Sequence, residues 1–341
     1  MSTRLTEPSA GSPGPSGALL EVDDLAVEFR TDSGVVRAVN GVSYDLHERE
    51  TLAILGESGS GKSVSAQAVM GILDCPPAHV TRGAIRFRGE DLLRMKPDVQ
   101  RRLRGEQIAM VFQNALSALN PVFTVGNQIG EMFRAHRGVG RREAKARAVE
   151  LLDRVRIPSA KDRVDDYPHQ FSGGMRQRVM IAMALALDPA VLIADEPTTA
   201  LDVTVQAQIM QLLADLRDET GMGLILITHD LGVVGEVADR IAVMYAGRII
   251  ETGTVYEVFG DPAHPYTVGL MNSVPRVDQR GQRLEPITGS PPNLANIPSG
   301  CPFHPRCPRA EDVCTVDRPP LRVVADSRRS ACHFAEDVLR A

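Results

Sequence analysis

Apolar and polar positions alternate from Leu19 to Phe29, with Leu20, Val22, Leu25, Val27 and Phe29 on the apolar side. A period of two over such a stretch predicts a strand with one buried face. Thr31-Asp32-Ser33-Gly34 is a turn, and Val35–Leu46 comes next with more β-formers, so an antiparallel hairpin is expected. Further on, Leu52–Leu55, Ile108–Phe112, Val191–Ala194 and Leu224–Thr228 are short apolar runs, and Ala84–Phe87 reads as another strand. Helical patterns cover Val64–Leu73, Asn127–Ile157 and Arg176–Leu187. Buried strands separated by helices predict an α/β fold with a parallel core sheet. Ligands of such sheets sit at the carboxyl ends of the strands.

Residues just past the apolar runs are therefore the first candidates for chemistry. After Leu52–Leu55 comes Gly56-Glu57-Ser58-Gly59-Ser60-Gly61-Lys62-Ser63, opening into a helix. Strand, glycine-rich turn and helix together make a phosphate cradle of the P-loop type. Its glycines let the backbone N–H groups curl inward, and the helix start favours an anion. Lys62 would reach the β- and γ-phosphates of a nucleoside triphosphate, and Ser63 would give an oxygen to Mg²⁺. Ile108–Phe112 runs into Gln113, whose amide oxygen can serve Mg²⁺ or the attacking water. Val191–Ala194 ends in Asp195-Glu196-Pro197, and Leu224–Thr228 ends in His229-Asp230. Asp195 suits Mg²⁺, mostly through water, and Glu196 suits the base that takes a proton from the attacking water. His229 would hydrogen-bond the γ-phosphate and Glu196. Phe29 is a candidate for stacking on adenine, and a core phenylalanine at a strand end is the competing reading.

Phe171-Ser172-Gly173-Gly174-Met175 precedes the helical stretch Arg176–Leu187. Ser172 can cap that helix, and the two glycines leave its first N–H groups bare, which makes a second anion-binding start. One chain carries one set of these motifs.

Composition narrows the partners. A net charge of −5 with no basic stripe argues against nucleic acid, and 4% aromatic residues without tryptophan argue against a base- or sugar-stacking surface. The longest apolar run, Val179–Leu187, is too short to span a bilayer. Residues 1–18 open on a Ser/Pro/Gly-rich stretch and are expected to be a disordered lead rather than a signal peptide. The chain is expected to be cytosolic unless a membrane partner holds it.

Beyond about residue 255 the composition shifts to prolines and loops. Cys301, Cys307, Cys314 and Cys332 then occur with spacing C-x5-C-x6-C-x17-C, while Cys75 stands apart. The region is too short and proline-rich to build a core unaided, so a metal staple is physically sensible. Zinc sites commonly use close cysteine pairs, and none is present. Four widely spaced thiolates suit a larger cluster, and unligated buried thiols are the plain alternative. His304 and His333 neighbour these cysteines.

Taken jointly, the phosphate loop, Gln113, FSGGM, LIADEP, Thr199-Ala200-Leu201-Asp202 and His229 resemble the ABC-type ATPases in order and spacing. The resemblance implies a P-loop NTPase domain with a parallel core sheet, an antiparallel β subdomain and a helical subdomain. It also implies a head-to-tail dimer with two sandwiched ATPs, in which Ser172, Gly173 and Gly174 meet the partner's nucleotide and Asp202 lies at the dimer interface. Phe171 and Met175 depart from the commoner LSGGQ, and Arg49 stands where a turn glycine is usual. Neither departure is expected to abolish hydrolysis.

The tail, with DPAHPYT, ITGSPPNL and GCPFHPRCPRAEDVC, resembles the C-terminal extension of oligopeptide and dipeptide importer ATPases. In that family the four cysteines ligate a 4Fe–4S cluster in some members, with zinc the lesser alternative here. Met244-Tyr245-Ala246-Gly247 looks like the first of the two ATPase subunits such importers carry. The division implied is a lead over 1–18, an ATPase domain over 19–258, and a small irregular cysteine-rich extension over 259–341. The expected function is MgATP hydrolysis powering uptake of peptides, or by the same machinery of nickel or another small solute. The expected partners are a sister ATPase subunit, two integral-membrane permease subunits and, indirectly, an extracytoplasmic binding protein. The expected location is the cytoplasmic face of the membrane, as a peripheral subunit. A soluble ABC ATPase of DNA repair or translation is the remote rival, and long coiled-coil insertions or a second cassette would mark it. Neither is in this chain.

Overall fold

In a computed structural model, which describes residues 17–32, 34–273 and 286–340, the apolar runs lie side by side. The strands are β1 (Leu20–Thr31), β2 (Gly34–Leu46), β3 (Thr51–Leu55), β4 (Ala78–Phe87), β5 (Glu90–Asp91) and β6 (Ile108–Val111). They continue with β7 (Val191–Asp195), β8 (Gly223–Thr228), β9 (Arg240–Tyr245), β10 (Arg248–Thr254), β11 (Arg322–Ala325) and β12 (Arg328–Ser330). Two sheets result, ordered β2-β1-β4-β5 and β11-β12-β10-β9-β3-β8-β7-β6.

The larger sheet is parallel from β9 through β3, β8 and β7 to β6. Its strands are apolar on both sides because each side faces a core. Leu55, Ala109, Val111, Leu192, Ala194, Leu224 and Leu226 join one core, and Ile54, Ile108, Met110, Ile193, Ile225 and Ile227 join the other. The first core carries the helices Val125–Arg137, Arg141–Arg154 and Gly173–Ala184, through Ile129, Phe133, Leu152 and Val179. The second is closed by the helix Lys62–Met70 and the antiparallel sheet, through Val69, Leu20, Val39 and Ile85.

The expected β1–β2 hairpin forms, with Phe29 opposite Val36. The long helical stretch is two helices, because Gly138 takes a left-handed conformation that ends the first. The helix expected from Arg176 starts at Gly173, since Ser172 caps it three residues earlier. Arg49 sits at φ +62, the left-handed region the usual glycine would occupy without strain. Of the expected lead, residues 1–16 lie outside the described residues, and Ala18 is already buried. Among the described residues no helix is long and apolar enough to cross a membrane.

The cysteine-bearing tail is largely loop, yet it also extends the main sheet. β12 pairs with β10 through Ser330 opposite Glu251 and Arg329 opposite Thr252, and β11 lies outside it. The helix Val255–Gly260 runs through the expected boundary at 258. At the seam, Glu251 is fully buried and accepts from the Ala263 N–H at 2.6 Å. Burial pushes its carboxyl up to about 7. A carboxyl raised above its unfolded value is stabilising below that unfolded value, and the stability is lost as pH rises through the folded value. The loss over about pH 4.5 to 7 is on the order of 3 kcal/mol. Glu251→Gln should therefore be the more stable protein at pH 8 and lose that advantage at pH 5, read from thermal midpoints across pH. Buried His264, held down to about 3 by desolvation, pulls the opposite way below its normal range and is common to both proteins.

Candidate functional site

The parallel strands end level with one another: Leu55 is opposite Thr228, and Asp195 is opposite Ile227. In sheet order β3-β8-β7-β6, the residues that emerge are Gly56, His229, Asp195 with Glu196, and Gln113. Candidate residues far apart in the chain thus form one row.

The phosphate loop is held tightly from two sides. A Cβ on Gly56 would lie 2.2 Å from the Met244 carbonyl oxygen, and one on Gly61 would lie 2.2 Å from that of Ala38. Gly61 opens the helix Lys62–Met70 with no side-chain cap, so the first N–H groups face outward unshielded. Lys62 is buried and donates to the carbonyls of Gly56 at 2.8 Å and Glu57 at 2.9 Å, with the Ser60 hydroxyl at 3.5 Å. Burial pulls its ammonium down, while the carboxylates of Glu196, Asp195 and Glu57 push it up. Gly59 and Ser58 form the exposed lip of the loop.

Ser63 donates its hydroxyl to Asp195 Oδ1 at 3.0 Å. Asp195 is buried, and desolvation raises its pKa against the lowering effect of that bond. A hydroxyl and a carboxylate in direct contact are hard oxygen donors of the kind suited to Mg²⁺. Glu196 is the centre of the row. Its Oε2 accepts from Gln113 Nε2 at 2.7 Å and from the Thr199 hydroxyl at 2.9 Å, and its Oε1 lies 3.4 Å from His229 Nδ1. Its backbone is left-handed, at φ +46, with its N–H tied to the Ile227 carbonyl at 2.8 Å. That turn aims the carboxylate back over the strand ends.

Thr199 was read only as part of a motif, with no role of its own beside Glu196. Its signal was a hydroxyl three positions after Glu196, which only the left-handed turn brings into reach. Phe29 is half-buried and packs against the second core. The signature residues lie elsewhere on the surface. Ser172 accepts from the Met175 N–H at 3.3 Å, and Gly173 and Gly174 face Leu201 and Val205. Asp202 caps the helix Val203–Thr220 by accepting from the Val205 N–H at 3.0 Å. Signature and Asp202 therefore share one patch, and the turn Thr199–Leu201 links it to Glu196.

Cys301, Cys307, Cys314 and Cys332 all line one small cavity, together with Phe303, Phe334 and Pro319. Cys75 is remote and exposed. Burial and mutual repulsion raise the thiols of Cys301, Cys307 and Cys332, the last to about 11. Among the described residues no three His, Cys, Asp or Glu side chains come together in a way that would hold a single metal ion. His304 and His333 each engage a main-chain carbonyl through one ring nitrogen.

Residues 39–199 match the ABC transporter family model, and residues 250–314 match that of the oligopeptide/dipeptide transporter C-terminal region. The dipeptide transport ATP-binding protein DppD of Bacillus subtilis is 51% identical over 314 residues, 92% of this chain and 94% of that one. The oligopeptide transport ATP-binding protein OppD of Salmonella typhimurium is 50% identical over 332 residues, 96% of this chain and 97% of that one. Among solved structures, the dimeric bacterial ABC transporter cassette MJ0796 superposes with a TM-score of 0.62. It is 28% identical and covers 69% of this chain and 98% of its own.

Proposed function

Because this chain belongs to the ATP-binding subunits of ABC-type peptide importers, we propose that the row around Glu196 hydrolyses MgATP and that a second ATPase domain completes it. The chain is an ATP hydrolase whose turnover drives peptide import, peripheral to a membrane pair of permease subunits. The observation that carries the residue assignment is Glu196 itself, which gathers Gln113, Thr199 and His229 beside the phosphate loop.

In this reading the N–H groups of Gly59–Ser63 and the Lys62 ammonium bind the β- and γ-phosphates. Lys62 exchanges the loop carbonyls for phosphate oxygens. Mg²⁺ would be held by Ser63, Asp195 and Gln113, and supplies charge neutralisation between those phosphates. Glu196 accepts the proton of the attacking water, while Thr199 and Gln113 fix the carboxylate's orientation. His229 contacts the γ-phosphate. The patch of Ser172, Gly173, Gly174 and Asp202 faces the nucleotide of a sister chain, and the exposure of Ser172, Gly173 and Asp202 supports this. Phe29 remains the aromatic proposed for adenine. Exposed Phe112, Val122 and Phe123 flank and succeed Gln113 and offer an apolar surface to the permease's cytosolic helices. Purified chain, sister ATPase, permease pair and binding protein in sealed vesicles should accumulate peptide only with ATP. Accumulation without nucleotide would overturn this function.

For the four thiols the reading kept is a 4Fe–4S cluster rather than one zinc ion. Their wide spacing in sequence and their shared cavity support it. Such a group would staple the loops between Cys301 and Cys332. Anaerobic purification should give a brown protein with about four irons per chain. Stoichiometric zinc without iron would remove the assignment.

A further inference from the structure

Glu57 is the second residue of the phosphate loop, and its carboxylate does not point at the nucleotide face alone. It receives a two-pronged contact from Arg306, with Nη1 to Oε2 at 2.7 Å and Nη2 to Oε1 at 2.9 Å. Arg306 lies 249 positions further along the chain, between Cys301 and Cys307. Its side chain is 6% exposed, and its Nε donates to the Thr288 carbonyl at 2.9 Å. The guanidinium also sits 5.9 Å from the ring centres of both Tyr245 and Phe303. The Glu57 N–H is held from the C-terminal side as well, since it donates to the Tyr266 hydroxyl at 2.9 Å. Tyr245, Tyr266 and Phe303 pack on one another, with ring centres 4.6 to 5.4 Å apart. A rigid aromatic bed thus carries both contacts to Glu57.

We propose that Arg306 is a positioning residue for ATP binding: it neutralises and fixes Glu57 of the phosphate loop, so nucleotide affinity depends on the fold of the Cys301–Cys307 segment. This rests on the reading of Gly56–Ser63 as the triphosphate site. A carboxylate within the cradle repels an incoming triphosphate. A buried, bidentate guanidinium cancels that charge and holds it aside. Without Arg306 the loop would present a free negative charge beside the phosphates and lose one of its two anchors.

The test is a fluorescent-nucleotide titration with MgATP, paired with hydrolysis kinetics, on the full chain. Arg306→Met should bind about tenfold more weakly and show KM raised by a like factor, with kcat at saturation little changed. The double variant Glu57→Gln, Arg306→Met should recover affinity to within about threefold of the parent, because the unpaired charge is gone. A purely structural arginine predicts the reverse, with the double variant no better than the single. Parent-like affinity in Arg306→Met, or a double variant as weak as the single, overturns the proposal. Should Arg306→Met fail to fold, Tyr266→Phe removes one anchor by deleting one oxygen. Weaker binding in it supports the anchoring of Glu57, and unchanged binding overturns it. A parent chain that binds no MgATP would instead strike the triphosphate reading itself.

Discussion

Glu196→Gln should leave a protein that binds MgATP and scarcely hydrolyses it. The amide keeps an acceptor oxygen for Thr199 and nearly the same volume, so the row at the strand ends keeps its shape. What it loses is the basic lone pair and the negative charge. Removal of a positioned general base lowers a rate by about 10²- to 10⁴-fold. The expected result is a kcat reduced at least about a hundredfold and a nucleotide affinity within about threefold of the parent. A variant that traps nucleotide should also be found associated with its partner subunit, since product formation no longer opens the pair. Unchanged phosphate release would take the base role from Glu196 and leave Gln113 and His229 orienting water around some other group.

The second large effect is expected from a single methyl group. Gly61 sits at φ +103, and an alanine Cβ there would meet the Ala38 carbonyl oxygen at 2.2 Å. That oxygen belongs to β2, whose neighbours are fixed by the hairpin, so the loop must give way. Gly61→Ala should abolish measurable MgATP binding and cost on the order of 3 kcal/mol or more of stability. Gly59→Ala is the internal control. Gly59 has φ +78 but open space where the methyl would go, so only the backbone strain of about 1–2 kcal/mol applies. Thermal midpoints and nucleotide titration of the two variants side by side measure the difference. Equal behaviour would show that contact with Ala38 does not shape the cradle.

Much of this was legible in the sequence because the sheet encodes its own active edge. A buried parallel strand needs apolar residues along its whole length, so the first polar residue after it marks the carboxyl end. Gln113, Asp195, Glu196 and His229 were all readable in that way, and the sheet brings them together. Thr199 was not readable, because its reach to Glu196 depends on a left-handed turn that has no glycine to announce it. The strands β11 and β12 were missed because four and three residues are too few to display a period of two. Arg306 carried no local signal at all: its partner is long-range, and a lone arginine among prolines and cysteines reads as an exposed charge. Sequence pattern reports what each segment buries, while ion pairs across the fold are set by which segments meet.

The pairing of β12 with β10 has a bearing on how such chains can change over time. Were the tail deleted, the outer rim of Arg248–Thr254 would face water with amide and carbonyl groups unmatched, an open ladder of the kind on which molecules stack into aggregates. The appendage serves as a selvedge that keeps the weave from unravelling or snagging on its neighbours.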